Sequence, residues 1–325
     1  MKKEKLKNIG KDVIQNEIDG LKKLKSSVGN SFVEAVKTIL NCKNGKVIVS
    51  GVGKSGIISQ KWAATFSSTG TPSFFMDSSN ASHGDMGQIA SNDVVILLSL
   101  SGISSELKNI IQYCSRNRNI KLIGVTSNRK SLLFKNSDIK VLIPNVKEAG
   151  PGSFVPTSST TNFLSLGDAI AISCMKIRNF GKLEFKKFHP SGSLGTKLQT
   201  VGDLMLTGNK IPYVSGSTSM IKALNIINKK GLGVIIVKKE NKTVGILTDG
   251  DLKRINQKIS NFDNIKIKNV MKKNPISVEK DMLAAKALEI MNSKKITSLC
   301  VHKGKKKANT IGIIHVHTIL GANIS

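Results

Sequence analysis

Five short apolar runs, separated by helical or loop segments, constrain this chain more than any other feature of its sequence. The runs are Val47–Ser50, Ser73–Met76, Val94–Ser99, Lys121–Val125 and Ile139–Ile143. Strands that alternate with helices are typical of a parallel sheet with right-handed crossovers. In such a sheet a ligand lies outside the carboxyl ends of the strands, where loops lead into helices. The sequence therefore predicts that the chemically informative residues follow these runs.

Helical periodicity flanks the predicted sheet on both sides. Residues 12–42 place apolar side chains at helical spacing, and Gly29 and Asn30 break the stretch into two helices. Residues 158–179 predict one more long helix, and residues 182–200 look like an irregular connector. These segments favour a flavodoxin-like parallel α/β domain over residues 1–200.

The last third of the chain contains an internal repeat. Asp203-Leu204-Met205 is matched by Asn269-Val270-Met271, and Val244-Gly245-Ile246-Leu247 by Ile311-Gly312-Ile313-Ile314. The period is about 65 residues and only two copies exist, which predicts a pair of small modules and not a solenoid. The sequence of each copy predicts a strand, a helix, two strands and a second helix, in that order. We place the modules at residues 201–260 and 261–325.

The net charge of +29, from 50 Lys and Arg against 21 Asp and Glu, raises the question of a polyanionic partner. The lysines are scattered through every segment, and no basic stripe is interleaved with aromatic residues, which make up only 4% of the chain. Single-strand binding uses such a stripe, so no nucleic-acid partner is expected. Positive potential is still compatible with a small anionic substrate, because it raises the local concentration of that substrate.

Cysteine spacing and hydropathy indicate a reducing, aqueous compartment. The cysteines are Cys42, Cys114, Cys174 and Cys300. None forms a C-x-x-C pair, which favours reduced thiols. Residues 1–11 are charged without an apolar h-region, and the longest apolar run, Val94–Leu98, is far short of a membrane span. We expect a cytoplasmic protein without a membrane partner.

Two glycine- or serine-rich turns follow the first and third apolar runs. Gly51-Val52-Gly53-Lys54-Ser55-Gly56 leads into a helical stretch, and Ser99-Leu100-Ser101-Gly102-Ile103-Ser104-Ser105-Glu106 does the same. Glycines let a backbone approach a ligand, while hydroxyls and helix N-terminal amides bind phosphate oxygens. Because Ile48 stands where a P-loop needs glycine, a nucleoside triphosphate is not expected. Two such turns on neighbouring crossovers predict a phosphate monoester site.

Further polar groups lie at loop positions around the predicted sheet. They are His83, Glu148, Ser158 and His189. Each has a simple structural interpretation as a loop hydrogen bonder, a strand end, a helix cap or a turn residue. Their joint enrichment favours a functional site.

These motifs together resemble the D-arabinose 5-phosphate isomerases, in which a sugar isomerase (SIS) domain precedes two cystathionine-β-synthase (CBS) modules. The matching segments are Gly51–Gly56, Thr69–Pro72, His83–Gly87, Pro156–Thr161 and Phe188–Gly195. The resemblance implies cofactor-free interconversion of D-ribulose 5-phosphate and D-arabinose 5-phosphate through a cis-enediol(ate). The product of that family feeds 3-deoxy-D-manno-octulosonate, a sugar of lipopolysaccharide or capsule. It also implies a homotetramer, with active sites shared between subunits.

The resemblance also assigns roles to individual residues. The catalytic positions of the family match Lys54, Glu106, Glu148 and His189. The substrate contacts match Ser55, Gly70, Thr71, His83, Ser99, Ser101 and Ser104. A carboxylate base with a raised pKa and a cation beside the developing oxyanion fit the chemistry. The sequence does not rank Glu106 against Glu148.

Departures from the family concern zinc and the C-terminal modules. Asp77 stands where many relatives carry a histidine proposed to bind an inhibitory zinc, and the implied route requires no metal. CBS pairs typically bind adenosine nucleotides through a Thr and an Asp. Thr248 and Asp251 occupy these positions in the first module, whereas the second has His315 and Thr318. At most one nucleotide-like effector site is therefore expected, and a purely structural pair is an equal alternative.

Two alternatives to this reaction remain open at the level of sequence. SIS domains also serve non-catalytic sugar-phosphate regulators, although residues 1–42 show no helix-turn-helix with a basic recognition helix. A related enzyme acting on a hexose phosphate is the second alternative.

Overall fold

A computed structural model of the chain describes residues 3–189, 192–240, 242–257, 265–304 and 309–324. The chain divides into two compact units, Met1–Phe188 and His189–Ser325. Pro190 and Ser191 of the predicted connector motif lie outside the described residues.

The first unit contains a five-stranded parallel sheet with the strand order β2-β1-β3-β4-β5. The strands are β1 Val47–Gly51, β2 Ser73–Phe75, β3 Val94–Leu98, β4 Lys121–Thr126 and β5 Ile139–Leu142. This flavodoxin-like order confirms the predicted fold class. It also places the point where the order reverses, the usual ligand crevice of open α/β sheets, between β1 and β3.

Helices cover both faces of this sheet. They are α1 Lys3–Ser27, α2 Asn30–Asn41, α3 Lys54–Ser68, α4 Ser78–Ala81, α5 Ser105–Arg116, α6 Leu132–Asn136, α7 Ser158–Ile177 and α8 Lys182–Phe188. The predicted break near Gly29 separates α1 from α2. The irregular connector predicted for residues 182–200 is wrong over α8, because Lys, Leu and Glu are strong helix formers there. Short 3-10 turns cover Asp85–Gln88 and Pro151–Ser153.

Side-chain alternation along the strands divides the core of the first unit into two layers. Val49 packs on one face with Trp62 and Phe163, which belong to α3 and α7. Ile48 packs on the other face with Ile110 of α5. The helices thereby hold the strand ends, and the loops that follow them, in fixed positions.

The second unit contains two similar sheets, as the repeat predicts. Its strands are β6 Tyr213–Ser215, β7 Val234–Lys239, β8 Lys242–Thr248, β9 Lys272–Lys273, β10 Ser277–Glu279, β11 Ser298–His302 and β12 Gly312–His315. Its helices are α9 Gly192–Lys197, α10 Val201–Leu204, α11 Met220–Lys230, α12 Asp249–Asn256, α13 Ala284–Lys294 and α14 Val316–Gly321, with 3-10 turns at Gly208–Lys210 and Ile267–Asn269. The strand orders are β6-β7-β8-β9 and β10-β11-β12.

The two copies of the repeat pack reciprocally. Met271 of the second copy packs against Gly245 of the first, while Met205 of the first copy packs against Gly312 of the second. A Cβ on either glycine would collide with the facing methionine. The matched segments that define the repeat in the sequence therefore also supply the contacts between its two copies.

Candidate active site

The loop between β1 and α3 combines glycines with a lysine at a helix start. Gly53 has a backbone φ of 59°, a left-handed conformation that glycine adopts without strain. A Cβ on Gly56 would lie 2.8 Å from the carbonyl oxygen of Gly51, so only glycine allows α3 to approach β1 this closely. Lys54 opens α3 and is exposed, and its ammonium bonds no other residue of the described ranges. The loop offers helix N-terminal amides and an available cation at one point.

The loop between β3 and α5 is held in shape by its own hydroxyls. Ser99 is buried, and its Oγ accepts a hydrogen bond from the amide of Gly102 at 3.0 Å. The Oγ atoms of Ser99 and Ser104 lie 3.2 Å apart. Gly102 has a φ of 66°, and a Cβ there would collide with Ser131. Ser101 remains exposed at the loop tip, so this turn is shaped before any ligand arrives.

The two loops lie side by side at the edge where the strand order reverses. Gly51 at the end of β1 pairs with Leu98 at the end of β3, immediately before each loop begins. Ser55 follows Lys54 in the first turn of α3, and Ser104 directly precedes α5. The amino ends of two helices therefore meet here, and both favour an anion. The structure thus brings together Lys54, Ser55, Ser99, Ser101 and Ser104.

Glu106 lies at the same edge, in the first turn of α5. Its side chain is partly exposed, and Oε2 accepts a hydrogen bond from the Ser105 hydroxyl at 3.0 Å. An accessible carboxylate oxygen in this position can exchange a proton with a ligand held by the adjacent Ser99–Ser104 turn.

Glu148 occupies a different environment, beneath the amino end of α7. Its Oε2 accepts hydrogen bonds from the amides of Thr157 at 2.8 Å and Ser159 at 3.2 Å, and from the Thr157 hydroxyl at 3.2 Å. Burial acts to raise the pKa of Glu148, but the hydrogen bonds from Ser159 and Thr157 outweigh it and lower the pKa below its ordinary value. The raised pKa expected for a catalytic base is therefore wrong for Glu148, because a helix terminus stabilises its charged form.

The second oxygen of Glu148 is buried and unbonded. Glu148 is 8% exposed, and Oε1 has no hydrogen-bond partner among the described residues. A buried polar atom without a partner costs about 1–3 kcal/mol, so Oε1 needs a partner that the side chains around it do not supply.

Gly70 and Thr71 lie at the opposite edge of the sheet, because they precede β2 instead of following a strand. The Thr71 hydroxyl accepts a hydrogen bond from the Arg178 guanidinium, which also donates to the carbonyl oxygens of Gly70 at 3.3 Å and Ile39 at 3.2 Å. Within one chain these two residues do not join the loops after β1 and β3. Their predicted substrate contact therefore remains a prediction that requires a neighbouring subunit.

His83 and Asp77 follow β2 and lie at the same edge as Lys54. His83 is exposed, and the neighbouring Ser82 accepts a hydrogen bond from Asn109 of α5 at 2.8 Å. Asp77 caps α4 by accepting from the amide of Ser79 at 2.8 Å. In the described parts of the chain, no three His, Cys, Asp or Glu side chains converge as metal ligands.

His189 is the first residue of the second unit. Its part in a shared site with Lys54 and Glu106 stays a prediction from the sequence.

The second unit contains a cavity of about 730 Å³ that both modules line. Its charged and titratable lining residues are Asp249, Asp251, Arg254, Lys272, Lys273, Lys295, His315 and His317. The cationic groups outnumber the two carboxylates, so the cavity favours an anionic occupant. Thr248, the second residue predicted for an effector, also lines it.

Asp251 is already bonded within this cavity. Its carboxylate accepts from the Thr248 hydroxyl at 2.7 Å, from Arg254 at 2.6 Å and from Lys272 at 2.8 Å. Although burial acts to raise it, these bonds lower the pKa of Asp251 to about 2. Sequence reasoning missed Arg254 and Lys272, because neither belongs to a recognisable motif. A ribose diol would have to replace one of these cations.

His315 has a structural role in the second module. Its Nδ1 accepts from the amide of His317 at 3.2 Å and caps α14. His315 therefore caps its helix as Thr248 caps α12 in the first module, whereas Thr318 stands at the position of Asp251.

In the ranges that the structure describes, no helix is both long enough and apolar enough to traverse a bilayer.

Comparison with family models divides the chain into the same kinds of domain that its motifs indicate. The SIS domain model matches residues 39–173, and the CBS domain model matches residues 201–257 and 267–325.

Two known proteins are similar along almost the whole chain, and one solved structure is similar over part of it. Arabinose 5-phosphate isomerase KdsD of Francisella tularensis subsp. tularensis is 43% identical over 307 residues, covering 94% of this chain and 93% of that protein. Arabinose 5-phosphate isomerase KdsD of Yersinia pestis is 41% identical, covering 97% and 95%. An E. coli CFT073 protein solved in complex with arabinose 5-phosphate is 37% identical, with a TM-score of 0.56, and covers 58% of this chain and 100% of that one.

Proposed function

Because the chain belongs to the KdsD family of arabinose 5-phosphate isomerases, we propose that it interconverts D-ribulose 5-phosphate and D-arabinose 5-phosphate. The reaction passes through a cis-enediol(ate) without a cofactor, and its product supplies 3-deoxy-D-manno-octulosonate for lipopolysaccharide or capsule. The observation that carries this proposal is the pair of anion-binding loops beside Lys54, where the order of β1 and β3 reverses.

The phosphate group binds between the two loops. Hydroxyls of Ser55, Ser101 and Ser104 and the first amides of α3 and α5 surround its oxygens, while Ser99 keeps the second loop in shape. Charge-assisted hydrogen bonds to a phosphate are stronger than neutral ones, so this end of the substrate anchors the sugar.

Glu106 is the carboxylate that shuttles the proton between the first two carbons. It is accessible at the edge that holds the phosphate, whereas the oxygens of Glu148 are covered. Lys54 stabilises the oxyanion of the enediolate, because its exposed ammonium lies at the sheet edge where the phosphate binds. Glu148 acts by holding the amino end of α7 and the segment before it.

The remaining roles involve groups outside a single copy of the first unit. His189 transfers the proton between the two substrate oxygens, and His83 contacts the sugar. Gly70 and Thr71 serve the active site of a neighbouring subunit in a cytoplasmic homotetramer. The active site belongs to residues 1–200, and residues 201–325 regulate or assemble it.

The cavity of the second unit receives an anionic, nucleotide-like effector at Thr248 and Asp251. Support comes from its cationic lining and from its position between the two modules.

The test of the reaction is incubation of the purified chain with D-ribulose 5-phosphate, followed by an assay for D-arabinose 5-phosphate. Glu106→Gln should reduce kcat at least 100-fold, because general-base catalysis contributes about 10²–10⁴ in rate. The matched control is Glu34→Gln, since Glu34 lies exposed on α2. Unchanged turnover of Glu106→Gln would remove Glu106 from the mechanism.

The substrate itself decides between the proposal and its alternatives. Product from a six-carbon ketose phosphate alone would identify a hexose-phosphate isomerase. Binding of a sugar phosphate without any turnover would identify a non-catalytic sensor.

A further inference from the structure

Four polar side-chain atoms are buried without a partner where α7 begins. They are Oε1 of Glu148, Oγ of Ser158, and Oδ1 and Nδ2 of Asn162. Ser158 and Asn162 are fully buried, and none of the four atoms bonds another residue of the described ranges. A buried amide with neither atom bonded is rare in folded proteins, so this group calls for a physical explanation.

Ser158 and Asn162 border one space, which α1 closes, and the carboxylate of Glu148 is bonded to the residues on either side of Ser158. A Cβ on Gly20 of α1 would lie 3.5 Å from Oδ1 of Asn162, 3.6 Å from Cβ of Ser158 and 3.5 Å from Cγ1 of Val146. Val146 precedes Glu148 by two residues. Ser158 lies between the two residues whose amides bind Glu148, and Asn162 follows it by one helical turn.

No external group can supply the missing hydrogen bonds. The four atoms are inaccessible within a single chain, so neither a neighbouring subunit nor a substrate can reach them. The partner must therefore be a small polar molecule enclosed on folding. It must donate to the carboxylate and amide oxygens and accept from Nδ2, which water does and a metal cation does not.

We propose that one buried water molecule binds Glu148, Ser158 and Asn162, and that Asn162 is thereby a positioning residue for Glu148. The water donates to Oε1 of Glu148, while Thr157 and Ser159 donate to Oε2. Both oxygens of the carboxylate are then bonded, and the segment before α7 is fixed. Only the effect of Asn162 on turnover depends on the proposed isomerase function.

A crystal structure of the full chain, at a resolution that shows ordered water, tests the site directly. We expect one water within hydrogen-bond distance of Glu148, Ser158 and Asn162. A dry site, or direct bonds between these three side chains, would overturn the proposal, and so would a metal ion there.

Acid unfolding of the variant Asn162→Leu tests the role of the water in solution. Loss of its donor bond to Oε1 raises the pKa of Glu148, so the stability that its charge provides is lost at higher pH. The midpoint of acid unfolding should therefore lie at higher pH in Asn162→Leu than in the wild-type chain. Trp62 is the single tryptophan and packs with Phe163 of α7, so its fluorescence reports on this region.

The matched variants separate a water from ordinary packing. Ser165→Ala removes a half-buried hydroxyl from the same helix and should leave the midpoint unchanged. Asn162→Ser keeps a hydrogen-bonding group and leaves room for a second water, so it should restore the wild-type midpoint. An unmoved midpoint in Asn162→Leu, or a shift that Asn162→Ser does not reverse, would contradict the role of Asn162.

Titratable neighbours are unchanged in all of these variants. Lys147 adjoins Glu148 along the chain, and Glu17 lies on α1 close to Gly20. The acid-unfolding midpoint needs no substrate, so it tests the water even if the wild-type chain fails to isomerise D-ribulose 5-phosphate.

Discussion

Replacing Glu148 by glutamine separates a helix-holding role from a catalytic one. The carboxylate accepts from two amides and one hydroxyl at the start of α7, and its charge complements the helix terminus. Glutamine keeps one acceptor oxygen, loses the charge, and places an amide group among donors. We expect Glu148→Gln to destabilise the first unit and to reduce turnover only to the extent that this unit unfolds or loosens.

The loss of stability in Glu148→Gln can be worked out from the hydrogen bonds and the charge that change. The charge at a partly buried helix terminus contributes up to about 2 kcal/mol, and bonds to a charged acceptor exceed neutral ones by about 1 kcal/mol. A loss of about 2–3 kcal/mol in a unit that spans Met1–Phe188 lowers Tm by about 4–12 °C. Because the folded pKa of Glu148 is lowered, this difference is complete at pH 7 and disappears as pH falls through that pKa.

Thermal unfolding followed by Trp62 fluorescence, at pH 7 and at acidic pH, measures this difference. The control is Glu184→Gln, which alters a carboxylate in the first turn of α8 that accepts from the Gly181 amide at 2.9 Å. Its Tm should change by less than about 2 °C, because an exposed bond contributes little. A Glu148→Gln protein with wild-type Tm and a kcat reduced more than about 100-fold would refute the reasoning and make Glu148 the base.

Two further substitutions test the packing of the first unit and the charge network of the second. Gly167→Ala places a Cβ against the indole of Trp62 and should cost about 3 kcal/mol, seen as a lower Tm by fluorescence, whereas Gly10→Ala, with open space around it, should not destabilise. Asp251→Asn should cost the second unit about 1–2 kcal/mol at neutral pH, because its two cationic partners are largely exposed. Since the pKa of Asp251 is lowered from 3.8 to about 2, that difference should be complete above about pH 5 and should fade as pH falls toward 2 in chemical unfolding followed by circular dichroism.

The sheet could be predicted because its signal is local and strong. Each of the five apolar runs coincides with a strand of the structure to within one or two residues, and the loops after β1 and β3 both lie at the carboxyl edge, as the rule for parallel sheets predicts. The short helix α4 was not predicted, since four residues are too few for a periodic pattern. The helix forms because the Asp77 side chain caps it, and that hydrogen bond cannot be read from the composition of the segment.

The chemistry of the two glutamates could not be predicted from local sequence. The donors to Glu148 come from Thr157 and Ser159, nine and eleven residues further along the chain. No motif in the sequence between Glu148 and Thr157 indicates that this loop folds back on the carboxylate of Glu148. Gly70 and Thr71, by contrast, stand before a strand, and that position alone places them at the amino edge of a parallel sheet.

The carboxylates of Glu106 and Glu148 differ in how accessible their oxygens are, and this difference favours different roles for them. A proton shuttle needs an accessible lone pair, and the carboxylate of Glu106 is partly exposed beside the Ser99–Ser104 turn. A carboxylate that fixes a helix must instead have its charge stabilised by amides, as Glu148 has. The same hydrogen bonds that lower the pKa of Glu148 weaken it as a base at neutral pH. The proposed mechanism therefore assigns the proton shuttle to Glu106 and the fixing of α7 to Glu148.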